Sequence, residues 1–161
     1  MPVPPEALED WDYPRPFVHR AVVTAQDIDS LEHTNNTVYV RWCEEAAWEH
    51  SAALGLGIDD YRRLDRAMAV VEGSYRYLRA SYLGDQIDTA TWIESWDKRL
   101  TMTRHFQQRR VADGCTLLRA TVRFACIELS TGRPRRLPEE FIAGYGAAVL
   151  DSDTVAVGRA S

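Results

Sequence analysis

Two aspartates, a histidine and two asparagines lie within the ten residues DIDSLEHTNN, directly before a stretch rich in alanine, glutamate and aromatic side chains. A carboxylate can act as a general base or as a nucleophile. Asparagine is a good helix N-cap, and the first turn of a helix presents unpaired N–H groups that favour a bound anion. Because capping requires only one of these side chains, the segment predicts a site where a carboxylate acts as base or nucleophile beside a helix N-terminus.

The elements on either side of this polar segment must hold it in place. Residues 17–25, FVHRAVVTA, are rich in β-formers and predict a strand. Residues 37–54 contain neither glycine nor proline, and their apolar side chains recur at helical spacing. Apolar or small residues occur on most sides of this helix, which predicts that it is largely enclosed.

The rest of the chain is dominated by β-strand patterns. Short turns separate the predicted strands, so successive strands must be antiparallel. The predicted strands are 68–82, 87–96, 102–111 and 117–129, with a short helix or turn at 59–66 and a short helix at 138–146. One long helix and five strands predict an α+β fold in which a strongly twisted antiparallel sheet wraps the helix. The open edges of such a sheet favour dimerisation through an edge strand.

Composition restricts the class of protein. The 161 residues are 45% hydrophobic and 27% charged, which is typical of one globular domain. Nineteen basic and 24 acidic residues leave a net charge of −5, which argues against broad binding to nucleic acid or anionic membranes. The three cysteines form no CxxC pair or Cys/His cluster, so free thiols in a reducing compartment are expected.

The two ends of the chain differ from its centre. Residues 1–16 contain five of the seven prolines and predict an irregular arm that lacks the basic and apolar regions of a signal peptide. No apolar run approaches the roughly 20 residues needed to span a bilayer, so the cytoplasm is the expected location. The tail, residues 147–161, is small and polar and is expected to be disordered, which leaves residues 17–146 as the folded domain.

Three segments carry a resemblance to a known family. The segment DIDSLEHTNNTVYVRWCEEA, residues 27–46, resembles the signature D-x-D-x-x-x-H-x-N-N-x-x-Y, followed by a helical glutamate, of hot-dog-fold acyl-CoA thioesterases of the 4-hydroxybenzoyl-CoA thioesterase-like family. YRYLRASYLGDQI at 75–87 is similar to that family's second strand and Gly-Asp turn. TGRPRRLPEEF at 131–141 is similar to the end of its last strand and its terminal helix. Together these segments relate residues 17–146 to the family.

The resemblance implies an architecture and an assembly. It implies a hot-dog fold, in which a five-stranded antiparallel sheet surrounds one central helix. It also implies a homodimer with a continuous ten-stranded sheet, often paired again into a tetramer, with active sites at the dimer interface. No metal or redox cofactor is implied, because coenzyme A is part of the substrate, and neither nucleic acid nor membrane is an expected partner.

The resemblance also assigns roles within the polar segment. Asp29 stands where family members have a carboxylate that acts as nucleophile, through a mixed anhydride, or as the general base that activates water. A backbone amide near Asn36 would polarise the thioester carbonyl. His33 occupies the family's histidine position, where it either orients the substrate or packs against loop carbonyls. Asp27 is expected to brace the loop. Glu32 departs from the pattern, because related sequences usually have glycine before this histidine.

Five further residues are candidates for substrate binding. Tyr39 either lines the acyl slot or packs in the core. Glu45 either hydrogen-bonds across the dimer or lies on a solvated face of the helix. Basic groups are needed for the phosphates of coenzyme A, and Lys98 with Arg99 form one candidate set. Arg135, with its neighbouring arginines, forms the other.

These expectations lead to one principal function and two alternatives. The principal one is hydrolysis of an acyl-CoA or acyl-carrier-protein thioester to free acid and thiol, with Asp29 as nucleophile or general base. A non-hydrolytic acyl-thioester-binding protein is the first alternative, motivated by Glu32 in the loop. A hot-dog dehydratase or hydratase ranks lower, because such enzymes pair a histidine with an acid from the helix and His33 lies in the loop.

Overall fold

The computed structural model describes residues 11–160. A short 3-10 turn, Ala25–Asp27, links the first strand to the loop that precedes the long helix. The strands are β1 (Phe17–Val22), β2 (Arg66–Tyr77), β3 (Gln86–Trp96), β4 (Thr101–Arg110) and β5 (Thr116–Glu128), and the helices are α1 (Asn36–Ala53), α2 (Ile58–Leu64), α3 (Glu139–Gly146) and α4 (Ser152–Ala160). None of these helices is both long enough and apolar enough to cross a membrane.

The five strands form one sheet in the order β1-β3-β4-β5-β2. β1 and β3 pair antiparallel, with Phe17 opposite Thr91 and Val22 opposite Gln86. This confirms the predicted α+β class with a five-stranded antiparallel sheet. The first and second strands are each three residues shorter than predicted, because β1 ends at Val22 and β2 runs from Arg66 to Tyr77. Beyond β2, the Leu78 N–H still donates to the Leu117 carbonyl, at 2.8 Å.

The chain divides into two compact units. Unit 1 comprises Met1–Ala47, Tyr75–Thr91 and Phe106–Ala120, and unit 2 comprises Trp48–Ser74, Trp92–His105 and Thr121–Ser161. The polar segment that opens the helix therefore belongs to unit 1, whereas the basic turns belong to unit 2.

Within unit 1, one side of α1 packs into the core. Tyr39, Trp42 and Cys43 are buried. Gln108 on β4 donates from Nε2 to the Tyr39 carbonyl, at 2.9 Å, so even a buried polar side chain of the sheet is bonded to the helix. The prediction that the helix is largely enclosed is only partly met, because Arg41 and Glu44 form an exposed row along it.

Unit 2 has its own core, which includes a group of hydrogen-bonded hydroxyls. Phe141 and Tyr145 of α3 are buried against Tyr61 of α2, with ring centroids 4.9 Å apart for Tyr61 and Phe141. The Tyr145 hydroxyl bonds to the hydroxyls of Tyr61 and Ser51. Each of these three buried hydroxyls thus has a partner, which avoids the free-energy cost of leaving it unsatisfied.

His50 in unit 2 gives the stability of the protein a pH dependence. Its Nδ1 lies 2.9 Å from an Arg104 guanidinium nitrogen, which can only donate, so the imidazole accepts and is neutral. Burial, and next the charge of Arg104, lower the pKa of His50 from 6.5 to about 4. The unfolded chain therefore binds the proton first, and the free energy of unfolding falls as the pH drops from about 6.5 towards about 4.

We expect this fall to amount to about 2 kcal/mol after allowance for solvent screening. Urea unfolding at pH 7.5 and pH 4.5 measures it. His50→Gln keeps an acceptor for Arg104 but does not titrate, so its loss of stability over the same interval should be smaller by that amount. An equal loss in both proteins would contradict the assignment.

The segments that flank the predicted domain are ordered where the structure describes them. Residues 1–10 of the predicted arm lie outside the described residues. In the remainder of the arm, the Asp12 carboxylate pairs with the Arg119 guanidinium at 2.9 Å. The prediction of a disordered tail is corrected, because Ser152–Ala160 form α4. Asp151 caps this helix by accepting from the Thr154 N–H at 2.7 Å. The polar composition of the tail did not reveal this contact.

Candidate active site

The loop between β1 and α1 is held by Asp27. Its buried carboxylate accepts from the Thr24 N–H at 2.9 Å and from the Arg41 guanidinium at 2.9 Å, and its carbonyl accepts from the Asn35 N–H at 2.8 Å. Burial alone would raise the pKa of this carboxyl, but the hydrogen bonds from Thr24 and Arg41 outweigh it and hold the pKa below its usual range. Asp27 therefore braces the loop, as predicted.

Asp29 has two carboxylate oxygens in different situations. Oδ1 accepts from the backbone N–H groups of Leu31, at 2.9 Å, and His33, at 3.3 Å. The Asp29 N–H in turn donates to the His33 carbonyl at 2.9 Å, which closes the turn. Oδ2 has no hydrogen-bond partner among residues 11–160. The side chain is thus fixed in orientation by one oxygen, and the other is available to a ligand.

Glu32 has a left-handed backbone, with φ of 64°. Glycine adopts this conformation without steric cost, whereas any other L-residue crowds its own Cβ against the backbone. The loop therefore keeps the conformation that a glycine would have, with a glutamate in its place. The exposed Glu32 side chain forms no hydrogen bond or ion pair with the described residues, so no second acid contacts Asp29.

Replacing Glu32 with glycine should raise the free energy of unfolding by about 0.5–1 kcal/mol, because the relief of strain exceeds the extra entropy of the unfolded chain. Urea unfolding measures the change. Glu32→Ala is the matched control, since alanine loses the charge but retains the Cβ. A gain of the same size in Glu32→Ala would attribute the effect to charge instead of backbone strain.

Asn35 caps α1, and the residue after it presents a free amide. The Asn35 Oδ1 accepts from the Thr37 N–H at 2.9 Å and from the Thr37 hydroxyl at 2.8 Å. The Asn36 N–H donates to no acceptor among residues 11–160. The hydroxyl of Tyr77, on β2, donates to the Asn36 carbonyl at 3.1 Å and so fixes this first peptide of the helix. An exposed N–H at a helix N-terminus can stabilise a developing negative charge.

His33 is exposed and does not contact the Asp29 carboxylate with its ring. The imidazole instead packs edge-on against Tyr82, with ring centroids 5.4 Å apart and an interplanar angle of 78°. Its backbone, not its side chain, connects it to Asp29. The structure brings His33 and Asp29 into one turn, and a catalytic role of the imidazole stays a prediction.

Tyr39 is buried and serves a hydrogen-bond network centred on Ser81. The Ser81 N–H donates to the Tyr39 hydroxyl at 3.1 Å, and the Ser81 and Tyr39 hydroxyls lie 2.8 Å apart. The Thr34 N–H donates to the Ser81 carbonyl at 3.0 Å, and the Thr34 hydroxyl lies 2.7 Å from the Ser81 hydroxyl. The network clamps the loop that carries Asp29 to the segment after β2. This geometry favours the packing role over the predicted acyl slot for Tyr39.

Sequence reasoning assigned no role to Ser81 or Tyr77. Both lie in the 75–87 segment that resembles the family, but Ser81 meets Tyr39 across 42 positions and Tyr77 meets Asn36 across 41. No local pattern encodes such contacts. Their only signal was the position of that segment directly after a strand.

Glu45 lies on α1 between two basic partners. Its carboxylate is 3.0 Å from His19 Nε2, on β1, and 3.5 Å from the Arg41 guanidinium. Arg41 also pairs with Asp27, so this arginine links Glu45 on the helix to Asp27 in the loop. Glu45 thus has an ion-pair partner, Arg41, and a neighbouring imidazole, His19, in its own chain.

The basic residues predicted to hold phosphates lie in two turns of unit 2. The Leu137 N–H donates to the Arg99 carbonyl at 2.9 Å, which joins the Lys98–Arg99 turn to the segment that contains Arg135.

Asp97 orders the Lys98–Arg99 turn. Burial alone would raise its pKa, but the N–H groups of residues 99–101 lower it to about 2. The Arg135, Lys98 and Arg99 side chains are all exposed, and Arg135 pairs with the Glu128 carboxylate.

Comparison with known proteins places the chain in a family. Residues 23–144 match the model of the thioesterase-like superfamily. A relative, Protein THEM6 of Danio rerio, is 35% identical over 77 residues, which cover 48% of this chain. The match spans only 38% of the length of that relative.

Two solved structures with a similar fold are a thioesterase and a protein in complex with CoA. Slr0204, a 1,4-dihydroxy-2-naphthoyl-CoA thioesterase from Synechocystis, has a TM-score of 0.74 and 18% identity, with coverage of 86% of this chain and 98% of its own. SAV2348 from Staphylococcus aureus, in complex with CoA, has a TM-score of 0.75 and 21% identity, with coverage of 85% and 87%. These likenesses confirm the hot-dog fold. Since the family model covers most of the chain, the protein belongs to the thioesterase-like superfamily.

Proposed function

We propose that this protein hydrolyses acyl thioesters, with Asp29 as the reacting carboxylate. The observation that carries the proposal is that the two carboxylate oxygens of Asp29 have different surroundings. Oδ1 is held by two backbone N–H groups, and Oδ2 has no partner among residues 11–160. Nearby in the chain, the Asn36 N–H at the start of α1 is also free of any acceptor in that part of the chain. An oriented base and an unused amide donor are what acyl transfer requires.

Two reaction courses are consistent with this arrangement. As general base, Asp29 removes a proton from water while the oxygen of that water attacks the carbonyl carbon. The C–S bond then breaks and the proton passes to the leaving thiolate. As nucleophile, the carboxylate forms a mixed anhydride and expels the thiolate, which takes a proton from solvent. Water then adds to the anhydride, which releases the acid and restores the Asp29 carboxylate. In both, the Asn36 N–H would stabilise the oxyanion of the tetrahedral intermediate.

For the phosphates of a coenzyme A substrate, the candidates are Lys98 and Arg99. Both side chains are exposed, and neither has an ion-pair partner within residues 11–160. Arg135 is less suited, because its guanidinium is already paired with Glu128. The same basic turns would suit the phosphopantetheine of an acyl-carrier protein, so the carrier is left open between the two.

We further propose a homodimer that forms through β2, with a tetramer as a possible higher assembly. β2 is an edge strand of 12 residues, and most of its side chains are exposed, including Val70 and Val71. The other edge strand, β1, has only six residues and carries the Arg20–Asp88 ion pair. Although β2 also carries Glu72, which pairs with Arg123, its greater length and its exposed valines make it the edge more suited to strand pairing.

The test of the proposed function is thiol release from a panel of acyl-CoA esters with acetyl, decanoyl, palmitoyl and aromatic acyl groups. The proposal expects turnover of at least one ester. Absence of turnover across the panel, with acyl-carrier-protein esters included, would contradict it.

A non-hydrolytic thioester-binding protein is the second candidate. It is favoured by one observation, that Asp29 Oδ1 already serves the loop in the way that a purely structural aspartate would. Calorimetry with the same esters separates the two functions, because this candidate expects binding without release of thiol. A failure to bind any ester would contradict both candidates.

A further inference from the structure

Three exposed apolar side chains lie beside the candidate active site. We call Leu31, Tyr82 and Leu83 the apolar lip. Leu31 is 73% exposed, Leu83 is 64% exposed and Tyr82 is 49% exposed. Single exposed apolar residues are common on protein surfaces, but large ones grouped on neighbouring loop tips mark a binding surface more often.

Each leucine of the lip lies at the tip of a tight turn. Leu31 is in the Asp29–His33 turn, and its N–H bonds to the Asp29 carboxylate. Leu83 is in the turn from Tyr82 to Asp85, which is closed by the Asp85 N–H bonding to the Tyr82 carbonyl at 3.0 Å. These hydrogen bonds fix the backbone of both turns, and the two leucine side chains are exposed at their tips.

The two turns are also fixed to each other. The Thr34 N–H donates to the Ser81 carbonyl at 3.0 Å, and the His33 ring packs on Tyr82. The lip is therefore one surface, built from both turns within unit 1.

Geometry limits what can cover this surface. A reacting carbonyl must come within roughly 3.5 Å of the free Asp29 oxygen. Two residues of chain span at most about 7 Å, so the Leu31 Cα is no farther than that from the Asp29 Cα. The substituent on the carbonyl carbon therefore begins close to Leu31. A hydrocarbon substituent would cover exposed apolar area there, whereas an acetyl group is too short to do so.

We propose that the apolar lip contacts the hydrocarbon part of the acyl group, so that the protein prefers medium- and long-chain acyl thioesters to acetyl thioesters. The proposal rests on the proposed function and specifies its substrate class. Each methylene that the lip covers should favour the reaction by roughly fourfold.

The experiment compares the wild type with Leu31→Ser/Leu83→Ser on acetyl-CoA and decanoyl-CoA. We expect kcat/KM for decanoyl-CoA to fall about tenfold in the double variant and that for acetyl-CoA to change less than about twofold. Ile58→Ser is the matched control, since Ile58 is 46% exposed in unit 2 and belongs to neither turn. Equal chain-length dependence in wild type and double variant would overturn the proposal.

Two further measurements separate this proposal from others. Calorimetry with decanoyl-CoA and with CoA tests the lip even if no ester is hydrolysed. In that case the proposed function fails, and the lip is supported only if the double variant loses the extra affinity for the decanoyl ester. Light scattering and binding to phosphatidylcholine vesicles test other occupants. Loss of dimer or of vesicle binding in the double variant, with an unchanged chain-length profile, would assign the lip to a second copy or to a lipid surface.

Discussion

Replacing Asp29 with asparagine is expected to lower kcat for thioester hydrolysis by about 10²–10⁴-fold. The asparagine Oδ1 can still accept from the N–H groups of Leu31 and His33, so the turn should keep its shape. Its amide nitrogen, at the position of the free carboxylate oxygen, can neither take a proton from water nor attack a carbonyl. Steady-state kinetics on the best ester of the panel measure the loss, and KM should change little because the substitution removes no binding surface.

The control for Asp29→Asn is Glu44→Gln. Glu44 is an exposed acid on α1, and its neutralisation should leave kcat within about twofold of the wild type. Thermal unfolding of both variants shows whether either loses stability. If Asp29→Asn retains kcat within about threefold while folded, Asp29 is a structural loop residue and the reacting group is elsewhere.

Replacing Arg159 with methionine is expected to lower the free energy of unfolding by about 1–2 kcal/mol. Arg159 on α4 pairs with Glu94, a carboxylate on β3 that is only 4% exposed. Removal of the arginine leaves this buried charge with weaker compensation, since His105 Nδ1 is 3.9 Å from its other oxygen. Arg159 is itself 67% exposed, so water screens part of the pair, but the Glu94 carboxylate that remains stays desolvated. Urea unfolding at pH 7.5 measures the change.

Arg20→Met is the matched control for Arg159→Met. Arg20 bonds to both oxygens of Asp88, at 2.8 and 2.9 Å, but its side chain is mostly exposed. An exposed pair of this kind contributes less than about 1 kcal/mol. Equal losses in the two variants would show that burial of the carboxylate does not set the effect. A loss below that of Arg20→Met would show that α4 is not anchored through this pair.

The long helix and the strands were predictable because their signals are local. The sequence predicted the helix at 37–54, and α1 occupies Asn36–Ala53. The fifth strand was predicted at 117–129 and lies at Thr116–Glu128, where Val122 is buried and the next residue, Arg123, is exposed. Periodicity of 3.6 or 2 residues is set by backbone geometry, so it can be recognised without knowledge of tertiary contacts.

The tail shows where local signals fail. Residues 147–161 are small and polar, and their composition favoured disorder. The structure has α4 there. The Asp151 cap stabilises its start, and the Arg159–Glu94 pair holds its end. A short helix with few apolar residues depends on such contacts for its stability. Glu94 is 65 positions from Arg159, so no window of sequence around the tail contains its partner.

The sequence by itself determined the family, the order of helices and strands as far as α3, and the identity of the polar side chains at the helix entrance. Only the tertiary structure decided what each of them does there. It showed Asp27 paired with Arg41, Asp29 with one oxygen fixed and one free, and Glu32 in a glycine-like backbone conformation. The physical reason is that residue type sets which hydrogen bonds a group can form, whereas the fold sets which partners lie within about 3 Å of it.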